Sequence, residues 1–239
     1  MKKNLLAMIA FVGALSVPLS ASAYVLSPTS PGKWGSPVMG TGATVTWSLA
    51  PTGSSCSAEF SGCTVTSFAD FMPAGFLSIV NSAFAAWAAV ADINFVQVAD
   101  DGAAFNSPTA SGDIRLGGHA FDGAFGVLAH GYFPPINGDI HFDIAENWKL
   151  GFGGPGFDLF QVLAHEIGHA IGLGHSPEPN SLMNPFYTEA FHGLQADDIA
   201  GAQFIYGARV AQVPEPASLA LFGLMMAGLL LARRHRASR

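Results

Sequence analysis

At 239 residues with an apolar fraction of 50%, the chain can bury a sizeable core, yet its charged fraction of 11% is far below the roughly 25% usual in soluble domains. The deficit belongs to the two ends, because Tyr24 to Val213 holds four basic and sixteen acidic residues, a net charge of −12. That stretch excludes nucleic acid and anionic membrane as partners and is suited to binding cations.

Residues 1–23 open with Lys2 and Lys3, continue through an apolar run from Leu5 to Leu15 and end on Ala21-Ser22-Ala23, the pattern of a cleaved secretory signal. Val45, Trp47 and Leu49 alternate within 43–51, predicting a half-buried strand. Cys56 and Cys63, seven residues apart in a Gly/Ser-rich segment behind a secretion signal, are expected to close a local disulfide that staples a loop without chemistry of its own. From Pro73 to Val90, Leu77, Val80, Phe84, Trp87 and Val90 recur at helical spacing. Short strands are predicted at 93–98 and 113–117, and an irregular, glycine-rich stretch at 117–157 has the length of a functional or ligand-held loop. A second helix is predicted from Asp158 to about Gly172, with Asp158 as its cap and Gln161 at the capping-box position, and a third at 195–207.

After a linker at 208–216, Pro214-Glu215-Pro216 precedes an apolar run from Ala217 to Ala232 that ends in Arg233, Arg234 and Arg236. The run is short for a span, but a basic flank fixes such a helix with that flank in the cytoplasm. This tail resembles the PEP-CTERM sorting signal of exopolysaccharide-making Gram-negative bacteria. The resemblance implies a transmembrane helix and basic tail at 217–239, transient inner-membrane anchoring, processing by an exosortase, and a destination outside the cell or on its surface.

Residues 165–175 read HEIGHAIGLGH. On a helix His165 and His169 lie four residues apart on one face, where both imidazoles reach one zinc ion at about 2.0–2.1 Å, with Glu166 beside them. Gly172 lets the chain leave the helix sharply, so that His175 approaches as a third ligand and a fourth position stays open. The alternative, a core helix with three buried rings and a carboxylate, carries a heavy burial penalty.

HExxHxxGxxH followed by a methionine turn is the pattern of the metzincins. His175-Ser176, Leu182-Met183, Pro185 and Tyr187 resemble the matrixin subgroup, in which Met183 would underlie the zinc. GDIRL, FDGAFGVLAH, GDIHFDIAENW and LQADDIAGAQFIYG extend that resemblance over most of 33–207. It implies a single metzincin-like α/β (α+β) catalytic domain at 24–207 with a twisted mixed sheet, an active-site helix and a C-terminal helix. It also implies a monomer acting on a protein or peptide substrate.

The resemblance further implies a structural zinc on His119, His130 and His141, but the aspartate expected two residues after the first histidine is Phe121 here. It implies calcium on Asp122, Asp143 and Glu146, with carbonyls of Gly123, Phe125 and Val127, and part of another calcium site on Asp113 and Asp139; such hard oxygen donors suit calcium. Gly126 to Ala129, Leu128 included, would pair with an extended substrate, Pro185 and Tyr187 would wall the primed-side pocket, and Gln161 would lie near its floor. Residues 24–40 contain no cysteine, so any latency is expected to arise without a cysteine switch. These readings point to a secreted zinc endopeptidase with Glu166 as general base. The rivals are a non-catalytic zinc-containing surface or matrix-binding module, which has no need of Glu166, and a zinc amidase acting on a non-protein amide.

Overall fold

A computed structural model describes residues 24–107, 111–135 and 137–209. The expected signal at 1–23 and the expected membrane helix at 217–239 lie outside these residues; among the described ones no helix is long and apolar enough to cross a membrane.

Strand β1 (Ala43–Leu49) buries Val45 and Trp47 as its alternation dictates. A single-turn helix α1 (Phe68–Phe71) and helix α2 (Phe76–Val90) follow; α2 buries Val80, Ala83, Phe84 and Trp87, an i, i+3, i+4, i+7 stripe. Leu77, counted in that stripe from the sequence, is 41% exposed instead. Helix α2 crosses over to β2 (Ile93–Gln97), which pairs parallel with β1. On the other side of β1 lie β3 (Ile114–His119) and then β5 (Ile140–Asp143), both parallel, and β4 (Ala129–Gly131) closes that edge antiparallel to β5. The mixed sheet thus runs β2-β1-β3-β5-β4. The 117–157 stretch is less irregular than its glycines imply: it holds β4, β5 and the small parallel pair β6 (Trp148–Lys149) and β7 (Phe157–Asp158).

Helix α3 (Leu159–Ala170) is buried nearly all round, with Leu159, Leu163, Ile167 and Ala170 fully enclosed. Trp87 Nε1 of α2 donates to Ala164 O at 2.9 Å, and Trp34 Nε1 donates to Ala170 O at 2.7 Å, so both ends of the motif segment are pinned. Helix α4 (Ala196–Tyr206) completes the core with Ala202, Ile205 and Tyr206. The sheet is covered on its other face too: Leu116 points into the main core, whereas a Cβ at Gly117 would meet Val65 and Phe105 of a smaller cluster that includes Cys56 and Cys63. Those cysteines are joined as a disulfide.

Candidate metal centre and substrate cleft

Asp158 caps α3, its Oδ1 accepting the Gln161 N–H at 2.9 Å. The Gln161 side chain does not complete a capping box; its Oε1 accepts the Gly193 N–H at 2.9 Å, tying the helix start to the chain ahead of α4. One turn apart further along, His165 and His169 bring their Nε2 atoms to 3.1 Å. The helix ends at Gly172, whose φ of +108° and whose hydrogen, where a Cβ would stand 2.0 Å from Gly32 O, make glycine the residue that fits. The chain then doubles back and places His175 Nε2 3.2 Å from His169 Nε2.

The remaining ring nitrogens decide what this trio can do. His165 Nδ1 lies 2.6 Å from Leu182 O and His169 Nδ1 lies 2.8 Å from Leu173 O. A carbonyl only accepts, so both Nδ1 atoms carry the proton and both Nε2 lone pairs face one another. Such lone pairs repel unless a cation stands between them. Ligands at about 2.0–2.1 Å in tetrahedral array are about 3.3 Å apart, so the donor set fits zinc in type, spacing and outer hydrogen bonding. Burial, aided by the neighbouring His169, pushes His165 down to about 3, and burial pushes His169 down to about 4 and lowers His175 as well. All three are neutral near pH 7, as ligands must be.

Glu166 is 5% exposed, and its Oε2 has no hydrogen-bond partner among the described residues. Burial pushes its carboxyl up to about 8, and a dication on the neighbouring histidines would draw it back towards the carboxylate. A Cβ at Gly131 would stand 3.2 Å from that oxygen, so the bare backbone of the edge strand β4 leaves it room. Between β4 and α3 opens a cleft of about 500 Å³ that reaches His165, Glu166 and His175. Leu128, Ala129, Gln161, Pro185 and Tyr187, expected to meet substrate, all line it. Phe125 and Phe186, 81% and 80% exposed, stand at its rim. The Tyr187 hydroxyl accepts the Asp158 N–H at 2.9 Å, fastening the cleft wall to the helix cap.

Met183 is buried beneath α3, and a Cβ at Gly168 would lie 2.3 Å from its sulfur, so glycine there admits the methionine. The turn is held by Asp198 of α4, a residue given no role from the sequence. Its carboxylate accepts from Leu182 N at 2.8 Å, Met183 N at 3.0 Å, Ser181 Oγ at 2.5 Å and Gln195 N at 2.7 Å.

His119, His130 and His141 converge on the opposite face of the sheet, each offering a ring nitrogen within 4.8 Å of the others. His130 and His141 are directly paired across β4 and β5, and His119 Nε2 lies 2.9 Å from His141 Nδ1. Of the acids expected to take calcium, Glu146 accepts the Phe125 N–H at 2.6 Å and Asp122 accepts that of Val127 at 3.2 Å, while Asp143 Oδ2 and Glu146 Oε2 are buried with no hydrogen-bond partner among the described residues. Phe125, at the cleft rim, is thereby held at a left-handed φ of 69°. Asp113 and Asp139 have separate surroundings: Asp113 Oδ2 accepts from Thr46 N and Oγ1 at 2.8 Å each, and Asp139 Oδ2 accepts the Asn106 N–H at 2.6 Å.

A model of the matrixin family matches residues 64–207, and a model of the PEP-CTERM protein-sorting motif matches 212–236. Matrix metalloproteinase-25 of Mus musculus is 41% identical over 154 residues, 57% of this chain and 24% of that protein. Matrix metalloproteinase-20 of Homo sapiens is 40% identical over 143 residues, 57% of this chain and 29% of that protein. Karilysin of Tannerella forsythia is 38% identical over 141 residues, 54% of this chain and 28% of that protein. The similarity therefore spans about a quarter of the length of these relatives. With the matrixin model covering more than half of its length, including the helix, the histidines and the methionine turn, the chain belongs to the matrixin family.

Proposed function

We propose that the chain is a zinc-dependent endopeptidase, with zinc held by His165, His169 and His175. The observation that carries this reading is the geometry of His165 and His169: both Nδ1 atoms face carbonyls while the Nε2 lone pairs face each other, beside a buried carboxylate with an unpartnered oxygen. Zinc bound there supplies a Lewis acid that polarises a scissile carbonyl and lowers the pKa of an attacking water towards 7. Glu166 is the general base: it takes a proton from that water as the carbon–oxygen bond forms, and delivers it to the leaving nitrogen as the carbon–nitrogen bond breaks. The edge strand β4 has an open side along the cleft, where an extended peptide adds as a further strand. The apolar walls at Leu128, Phe157 and Phe191 favour an apolar side chain in the cleft.

Residues 24–207 form the catalytic domain of this reading, after a signal at 1–23 and before a linker at 208–216 and a sorting tail at 217–239. The tail would hold the protein transiently in the inner membrane of a Gram-negative bacterium until an exosortase-type enzyme releases it to the cell surface or beyond. Calcium at Asp122, Asp143 and Glu146 would stiffen the cleft wall, and a second zinc at His119, His130 and His141 would join three strands. Zinc analysis of the purified protein together with cleavage of a mixed peptide library tests the proposal. Cleavage that stops on chelation and returns with zinc supports it; a zinc-loaded protein that binds peptides but cuts none makes it a binding module.

A further inference from the structure

The Cys56–Cys63 loop has so far only a structural place, but it carries a carboxylate toward the second histidine cluster. We infer that Glu59 is the fourth ligand of the metal held by His119, His130 and His141. This rests on the reading of that cluster as a metal site and concerns how this chain completes it.

The three histidines project from β3, β4 and β5 onto one face of the sheet, under the disulfide loop. His141 is fully buried, and its Nε2, like that of His130, has no hydrogen-bond partner among the described residues. Buried ring nitrogens are ordinarily satisfied; His141 turns Nδ1 to His119 Nε2 at 2.9 Å, so these two atoms and His130 Nε2 are the donors that face one ion, while His141 Nε2 points away from it as an N–H. Three neutral imidazoles leave the charge of a dication uncompensated in a buried setting, which calls for an anionic fourth donor.

Nearby groups narrow the choice. Phe121 packs its ring on His119 and His130, at 4.4 and 4.8 Å between centroids, and offers no oxygen. Asp122 is turned into its own loop, both carboxylate oxygens 3.2 Å from Val127 N. Cys56 and Cys63 lie within reach of a His119 nitrogen, but as a disulfide they present no thiolate. Glu59 Oε1 lies 3.7 Å from His130 Nε2, one of the three donors, and 3.9 Å from His141 Nε2 on the far side of that ring. Nitrogen and oxygen ligands on one tetrahedral zinc are about 3.4 Å apart, so a rotation of the Glu59 side chain brings its carboxylate into the shell. That carboxylate has an outer shell of its own, since Tyr132 Oη and Asn106 Nδ2 donate to Oε1, the latter at 3.1 Å. The loop is held in register by Glu59 N to Cys56 O at 2.9 Å and Cys56 N to Cys63 O at 3.0 Å. The disulfide therefore acts as a staple that fixes the position of a metal ligand.

The test is metal content of the purified full-length chain after dialysis against graded chelator. Wild type should hold two zinc ions, and Glu59→Gln should keep the catalytic one while the second weakens at least about tenfold. Phe121→Asp added to Glu59→Gln should restore the second ion, because position 121 lies against the same rings. If Glu59→Gln does not fold, an anomalous-difference map of the wild-type protein decides, with a Glu59 oxygen at about 2.0–2.2 Å from the second zinc expected. Two zinc ions of unchanged affinity in Glu59→Gln, or a water in place of Glu59 in that map, overturns the inference alone. One zinc in wild type overturns the second site itself.

Discussion

Asp198 Oδ2 accepts the Leu182 backbone N–H at 2.8 Å, while the Leu182 carbonyl lies 2.6 Å from His165 Nδ1, so a carboxylate on the last helix orients a candidate zinc ligand through one intervening residue. The same carboxylate receives Ser181, Met183 and Gln195. Asp198→Ala leaves these buried donors unsatisfied at a cost of about 1–3 kcal/mol each, so denaturant unfolding should show a loss of at least about 2 kcal/mol. Zinc affinity should fall by about 10- to 100-fold, as for other partners that orient ligands. Asp198→Asn, which keeps one acceptor oxygen, should lose less. Unchanged zinc affinity in Asp198→Ala would separate the turn from the metal.

A buried ion pair governs acid stability. Arg115, fully buried, donates to both carboxylate oxygens of Asp100 at 2.8 Å. Burial alone would raise the Asp100 carboxyl, but hydrogen bonds from Arg115, Ser48 and Gly102 outweigh it and hold the group below its ordinary value. The folded-state value lies below the unfolded one, so the contribution is fully present above about pH 4 and is lost as pH falls through the depressed value. Asp100→Asn, which strands Arg115, should cost about 3–5 kcal/mol at pH 7. The difference between variant and wild type should shrink in acid, as unfolding curves at pH 7 and pH 3 would reveal.

Calcium should stabilise the loop that carries the cleft rim. Saturation at about a hundred times the dissociation constant adds about 2.7 kcal/mol to the native state. Thermal melts of calcium-stripped protein should therefore rise when millimolar calcium is added. Glu146→Gln should reduce that rise, because Glu146 offers a buried oxygen with no partner among the described residues. Equal midpoints with and without calcium would remove the ion from this loop.

The HExxHxxGxxH segment was legible because four-residue spacing on a helix places two rings on one face whatever surrounds them, and because Gly172 announces the exit that frees His175. The strands within 117–157 were not legible, since segments of two to four residues among glycines show no period. Leu77 fits the helical spacing, yet lies on the exposed edge of α2, a placement that depends on where α3 packs. Gln161 sits at a capping-box position but turns to Gly193, because a tertiary donor outcompetes the local one. Asp198 and Glu59 lie 23 and 60 residues from the nearest of the metal-site histidines in the clusters they serve, and folding alone brings them there. The one signal for Glu59 was an acid inside a stapled loop.

The central claim is that Glu166 moves the proton beside a three-histidine zinc. The most direct measurement is kcat/KM of Glu166→Gln against wild type on a peptide found by library cleavage, with zinc content matched. The variant keeps the side chain's size and should keep its zinc, while losing the proton acceptor. General acid–base catalysis contributes about 10²- to 10⁴-fold, so kcat/KM should fall by at least about a hundredfold. Cleavage by zinc-loaded Glu166→Gln at the wild-type rate would contradict the mechanism.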